Sequence, residues 1–555
     1  MRLLYTSVMC VSAMFMSLSA QDLSKEITIE KEIIPEHRSA IKLDVEPKSV
    51  SRAMTKKTPV FKEQYTVSEV PANIATLEPA SCGDTLKNLK YRGYVDVGYF
   101  PIYNSVVSAG YRFLNTETTR LNAWLQYDGK VYDAEMLPDE ELTLRSHMIE
   151  LGASVSHKVN RFSWVTAGVD YSYNHYNIPT EISSYNESVN DLGLNIGWNS
   201  QVGVLKYNVG IDFGHFAYGQ KGYHLGKKAK PVRENLIAFA GSAVMPYAEN
   251  LNIGLDAKIH IVNYNRNNIL LADTLGHLKL GEADAPSYSI VSLTPRIGYK
   301  AANLNISAGV KIDLAINEGK ALNIAPDVNL GWTPVTYVSV YGTLGGGKHI
   351  NTLAPLFDYM RYAAPMFAYG SSTIPFSLDV GVVVGPWRGA YIELFGGYAK
   401  ADDWLMPNNV NMTNIYLPTD IKGWHGGAKV GFNYHDIVDF SIRYEAASQD
   451  LNKGYYLWRD RAKNVLSLSL QVTPIKPLDI VVGYELRKDR YCNISTNELC
   501  EMGDAENVSI GANYQLKERL GLFGQIENLF NNEYLMPGNI PVQGINALVG
   551  VNYKF

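Results

Sequence analysis

From Tyr91 onward the chain alternates apolar and polar residues with a period of two, the pattern of strands with one dry and one wet face. Residues 251–261 set Leu251, Ile253, Leu255, Ala257, Ile259 and Ile261 on one face, with Asn252, Gly254, Asp256, Lys258 and His260 on the other. Residues 304–314 repeat this, with Leu304, Ile306, Ala308, Val310, Ile312 and Leu314 against Asn305, Ser307, Gly309, Lys311 and Asp313. Residues 438–446 set Val438, Phe440, Ile442 and Tyr444 against Asp439, Ser441, Arg443 and Glu445. About 22 such segments fit between Tyr91 and Phe555.

The connections alternate in length. Tight ones fall at 200–202, 247–249, 301–302, 386–388, 435–437, 475–477 and 517–518. Long ones fall at 129–143, 217–232, 264–287, 347–373, 402–423, 448–462, 489–504 and 530–543. Only 101–103 and 316–319 are short where the phase asks for long. A soluble sandwich has no reason to keep such a phase, whereas a membrane barrel has short turns on one side and long loops on the other. The pattern therefore predicts an all-β fold: a transmembrane antiparallel β-barrel of about 22 strands over residues 91–555, apolar side to lipid.

Composition fits. Of 555 residues 46% are hydrophobic and 19% charged. After the first twenty no apolar run reaches the ~18 residues of a membrane helix. Tyr, at 37, outnumbers Phe, at 17. Trp164, Trp198, Tyr299, Trp332, Trp387, Tyr391, Trp424 and Tyr553 stand near segment ends, where aromatic girdles meet headgroups. A net charge of −5 offers no basic surface for nucleic acid.

The N-terminus has the form of an export signal, residues 1–20: Arg2, an apolar stretch from Leu3 to Leu18, then Ser19-Ala20 before Gln21. Export implies an oxidising compartment. Residues 21–90 differ from the rest. About a third are charged, with the two signs balanced. Pro35, Pro47, Pro59, Pro71 and Pro79 interrupt any long helix or central strand. This is expected to be an extended periplasmic or lumen segment.

Candidate chemistry is sparse. The 11 histidines share no metal spacing, and neither a Gly-x-Ser-x-Gly elbow nor a His-Glu-x-x-His motif occurs. Gly345-Gly346-Gly347-Lys348 lacks the rest of a phosphate-binding loop. The sequence gives no reason to expect an enzyme, a cofactor or a metal. Cys492 and Cys500 flank a short loop segment and are expected to form a disulfide, leaving Cys82 unpaired or bonded to a partner. Asp212, Asp256, Lys258, Lys311, Asp313, Asp327, Glu393, Arg443, Glu445, Glu485 and Arg487 fall on the polar face, as any wet lumen requires. Two loops are rich in aromatics: 347–373 carries His349, Phe357, Tyr359, Met360, Arg361, Tyr362 and Tyr369, and 402–423 carries Trp404, Met406 and Tyr416. Such residues suit sugar or protein contact, or loops folded over the mouth.

Two stretches carry a resemblance. The chain ends Gly550-Val551-Asn552-Tyr553-Lys554-Phe555, and Gly550, Tyr553 and Phe555 resemble the C-terminal signal read by the bacterial barrel-assembly machinery. Leu548 departs from the polar residue usual at the start of that pattern. Upstream, Glu527-Asn528-Leu529-Phe530-Asn531-Asn532-Glu533-Tyr534 with Pro537-Gly538 resembles the end of a TonB-dependent receptor barrel of the Bacteroidetes type. That resemblance implies an outer-membrane protein of a Gram-negative bacterium that moves or binds a nutrient, driven by TonB. The family's plug domain is about twice as long as residues 21–90, so the plug here is expected to be reduced or missing. Glu26-Ile27-Thr28-Ile29-Glu30 is a candidate strand for TonB to pair with. The alternative is a non-transporting barrel that anchors or scaffolds a membrane complex through a periplasmic or surface lipoprotein partner.

Overall fold

The computed structural model describes residues 91–555. Excepted are 180–183, 273–277, 364–369, 449–461, 494–498 and stretches of one to three residues in other connections. The expected signal peptide and the 21–90 segment lie outside the described residues.

A closed antiparallel barrel of 22 strands forms, as the alternation predicts. Strand Gly93–Phe100 pairs with Asn104–Asn115 on one side and with the last strand, Asn546–Lys554, on the other, which removes every edge. Closure is required: lipid cannot hydrogen-bond an open strand's N–H and C=O groups. The seam is tied at the terminus, where the N–H groups of Arg92 and Gly93 donate to the Phe555 carbonyl at 2.7 and 2.9 Å.

A row of tight turns lies at the barrel end that carries the C-terminus, among them Arg161-Phe162, Gly203-Val204, Glu249-Asn250, Arg388-Gly389, Lys476-Pro477 and Glu518-Arg519. The opposite end carries 219–232, 265–287, 351–370, 448–461 and 528–545. The short connections expected there at 101–103 and 317–321 are also present, and 138–139, 180–183 and 411–412 are short as well. Two expected loops are corrected. Most of 129–143 belongs to strands Thr119–Leu137 and Glu140–Asn160, and most of 402–423 to Ala390–Val410 and Thr413–Tyr434. Neighbouring strands continue their ladder beyond the bilayer, because pairing needs only backbone groups. A register shift between Ala401 and Trp404, with Asp403 at φ 56°, re-aims the longer hairpin.

The facing assignment holds. Val310, Leu314, Ile253, Leu255 and Tyr444 are exposed on the outer wall, whereas Asp313 and Glu445 are buried on the inner one. Trp198, Tyr299, Trp332, Trp387 and Tyr553 form an outward aromatic belt at the turn end, with Phe376 and Trp424 near the other border. Two residues of the expected belt face inward. Trp164 pairs with Asn199, on the face opposite Trp198, and Tyr391 lies beneath the Lys429 ammonium on the Glu393 face. Position along a strand did not fix their side; register did.

Gly550 and Gly98 face each other across the seam, and the Phe523 ring covers both. A Cβ on Gly550 would lie 2.3 Å from that ring and from the Val97 carbonyl. Gly309 is likewise closed, since a Cβ there would meet the Pro295 carbonyl at 2.7 Å. Ser307 is therefore the better lumen-side control. Val310→Arg, mid-band on the lipid side, is expected to cost about 2–4 kcal/mol, and Ser307→Arg much less. Urea unfolding in lipid vesicles measures both; equal losses would refute the facing assignment.

Candidate functional site: the roofed mouth

The described part of the connection after Ile350, Asn351–Ala363, does not stand out into water. It carries a short helix, Leu353–Tyr359, which packs inside the loop end of the barrel. Seven residues cannot hold a helix alone, so packing must do so. Leu353, Leu356, Phe357 and Met360 recur at i, i+3, i+4 and i+7 and are all buried. They pack with Tyr176, Val189, Phe216 and Tyr218, which point inward from three consecutive strands. Those strands lie far around the barrel from the two that the loop joins, so the loop spans the mouth.

From Leu353 to Tyr362 the strap is pinned at several points. Thr352 supplies no side-chain cap. Instead the Leu353 N–H donates to the Glu234 carboxyl oxygens, at 3.0 and 3.1 Å, which satisfies one open donor at the helix N-terminus. The Tyr416 hydroxyl, from the long hairpin, donates to the Leu356 carbonyl at 2.7 Å. Beyond the helix, Arg361 hydrogen-bonds Ser146 on the far wall, and its guanidinium lies 5.7 Å from the Phe357 ring. The Tyr362 ring meets Tyr176 edge-on and, with Tyr132, Leu142 and Met536, packs against the buried cluster of Ala134, Leu144 and Ile540.

Met536 and Ile540 belong to the final loop, 528–545, which joins the roof. Tyr132 donates to the Pro541 carbonyl at 3.0 Å, and Arg490 to the Leu535 carbonyl at 2.6 Å. The Asn-Leu-Phe-Asn stretch shapes this loop. Asn528 and Asn531 adopt φ of 49° and 53°, a region Asn tolerates. The Asn528 side chain closes a turn with Asn532, and the side-chain Oδ1 of Asn531 accepts from the Ile545 N–H at 2.7 Å. Burial holds the Tyr362 phenol above its ordinary value and pushes the Tyr534 phenol up to about 12, so both stay neutral.

Beneath the roof the lumen wall is polar, and much of it pairs with itself. All eleven polar-face charges named from the sequence point inward. His425 bridges Asp379 at 3.0 Å and Glu445 at 3.3 Å, and Arg443 pairs with Glu445 at 2.8 Å while lying 4.2 Å from the Phe395 ring. Arg296 pairs with Asp256 at 2.6 Å, and Arg487 with Glu485. Among the described residues no group of three or more His, Cys, Asp or Glu is placed to hold a metal.

Phe357, Met360 and Tyr416 are buried in the roof, whereas Trp404 and Met406 are buried in a separate cluster with Ile374, Ala399, Ala401 and Ile421. Tyr369 and the segment Glu26–Glu30 lie outside the described residues. So do the side chains of Cys492 and Cys500, although the backbone register sets these two positions directly opposite one another. Gly550, Tyr553 and Phe555 lie in or at the end of the closing strand, beside the seam. Sequence reading missed the helix and its Glu234 anchor. The helical spacing of Leu353, Leu356, Phe357 and Met360, with Pro355 in the first turn, was the available signal. Phe357→Ala removes about 3–5 kcal/mol of packing from the strap. It is expected to speed protease cleavage within 351–370 while the barrel stays folded; unchanged cleavage would mean the helix is not what holds the strap.

No protein-family model matches the sequence, and no curated protein does. Solved structures do match. The FrpB iron transporter of Neisseria meningitidis aligns with TM-score 0.64 at 11% identity, over 84% of this chain and 81% of that one. The siderophore receptor PirA of Acinetobacter baumannii gives 0.63 at 12%, over 84% and 80%. The outer membrane transporter YddB of Escherichia coli gives 0.59 at 9%, over 83% and 80%. At these identities the likeness is one of fold, and the chain shares the 22-stranded barrel of outer-membrane receptors and transporters.

Proposed function

We propose that this chain is an outer-membrane transport protein of a Gram-negative bacterium, which moves or binds a nutrient through a barrel with a reduced plug. The observation that carries the reading is a polar lumen beneath a roof made from the protein's own loops. A barrel serving only as an anchor gains nothing from guarding its lumen. The solved neighbours, a siderophore receptor and two transporters, support the same class. A lumen of this strand number is too wide for its own side chains to fill. Residues 21–90 are the segment available to act in or below it. Glu26–Glu30 would offer TonB an added strand, held by main-chain hydrogen bonds. Gly550, Tyr553 and Phe555 would be read by the assembly machinery. The turn end is then periplasmic and the roof extracellular.

Planar-bilayer conductance tests this reading. The full chain is expected to conduct little. Deleting 21–90 behind an intact signal should raise conductance, and replacing Leu353–Met360 with a Gly-Ser linker should raise it further. If neither change alters conductance, and the truncated chain keeps the same partners, the barrel is a scaffold and 21–90 a tether.

The same orientation places Cys492 and Cys500 outside the cell, facing one another across a strand pair. A membrane-impermeant maleimide on intact cells is expected to label them only after reduction. Labelling without reductant removes the disulfide; none after reduction reverses the topology.

A further inference from the structure

We propose that His147 and His175 form a two-histidine site for a divalent transition-metal ion on the outer wall, at the loop-side border of the apolar band. Strands Glu140–Asn160 and Ser163–Pro179 pair without a shift from Ser146–Tyr176 down to Lys158–Trp164, and within that run His147 lies directly opposite His175. Ile149, Leu151 and Val169 are exposed on the lipid side, and both histidines share their parity. The level follows from the neighbours. The pair below is Ile149 with Tyr173, the last apolar step, and beyond the histidines come Arg145 and Asn177, linked by a hydrogen bond from the Arg145 N–H to Asn177 at 2.6 Å. The site therefore sits where headgroups begin.

Directly opposed residues on one face have Cβ atoms about 4.5–5.5 Å apart. Two imidazoles at that separation can reach one ion through bonds of about 2.0–2.1 Å. His147 is also oriented: its Nδ1 lies 3.0 Å from the Tyr127 hydroxyl, and the two ring planes are nearly parallel, 11° apart. When Nδ1 donates to that hydroxyl, Nε2 carries the free lone pair, the arrangement that fixes histidine ligands elsewhere. Both rings are half-buried. Two neutral imidazoles select Cu²⁺, Ni²⁺ or Zn²⁺ over Ca²⁺ or Mg²⁺, which need oxygen ligands. Arg145, exposed one position further out, weakens cation binding without occupying the site. With two protein ligands the ion keeps open positions toward water and headgroup oxygens.

The test uses the full chain in detergent, without a polyhistidine tag, titrated with Cu²⁺ and read by electron paramagnetic resonance. One bound ion is expected to show coupling to two imidazole nitrogens. His147→Gln and His175→Gln should each abolish that signature and weaken binding at least tenfold. His215→Gln should change neither, and Tyr127→Phe should weaken binding several-fold. Heat-dependent gel migration confirms that each variant is folded. If the two-imidazole signature survives both single variants, or never appears in the wild type, the assignment is overturned.

Discussion

Backbone hydrogen bonding in a solvent that offers none governs this molecule. Every strand within the bilayer must be paired on both sides, so the sheet has to close. Closure makes the first and last strands depend on each other although they are separated by the whole chain. The terminal Phe555 backbone meets Gly93 in both directions, at 2.9 Å each way. Next to it the facing glycines Gly98 and Gly550 leave room for the Phe523 ring. These contacts form only when the last residues are in place.

Closing 22 strands leaves a lumen that side chains cannot fill, and two features follow. The inner wall must be polar, yet an isolated charge is costly when partly dehydrated. The wall therefore answers its charges locally, as His425 does between Asp379 and Glu445. The mouth is narrowed by backbone as well. The 351–370 strap and the 528–545 loop meet at Tyr362, each bringing its own apolar residues into one cluster. A marginal helix becomes stable there, because Glu234 takes a helix N–H and the aromatics of three strands receive its apolar face.

Alternation along the chain sufficed for the strand number, the facing of the walls and the position of the tight turns, because a period of two is a local property. The family resemblance of the 527–534 stretch singled out Asn528 and Asn531, whose role as left-handed turn residues only the loop's hydrogen bonds explain. What sequence could not supply was register and distance. Trp164 and Tyr391 looked like belt residues by their place near a strand end, but parity turned them inward. Residues 129–143 and 402–423 looked like loops, because pairing beyond the bilayer needs no apolar face. The helix, its anchor on Glu234 and the opposition of His147 with His175 join residues that only closure and register bring together. Local periodicity determined the wall of this protein; its roof and its cross-strand neighbours were decided by a tertiary structure that pairs residues distant in sequence.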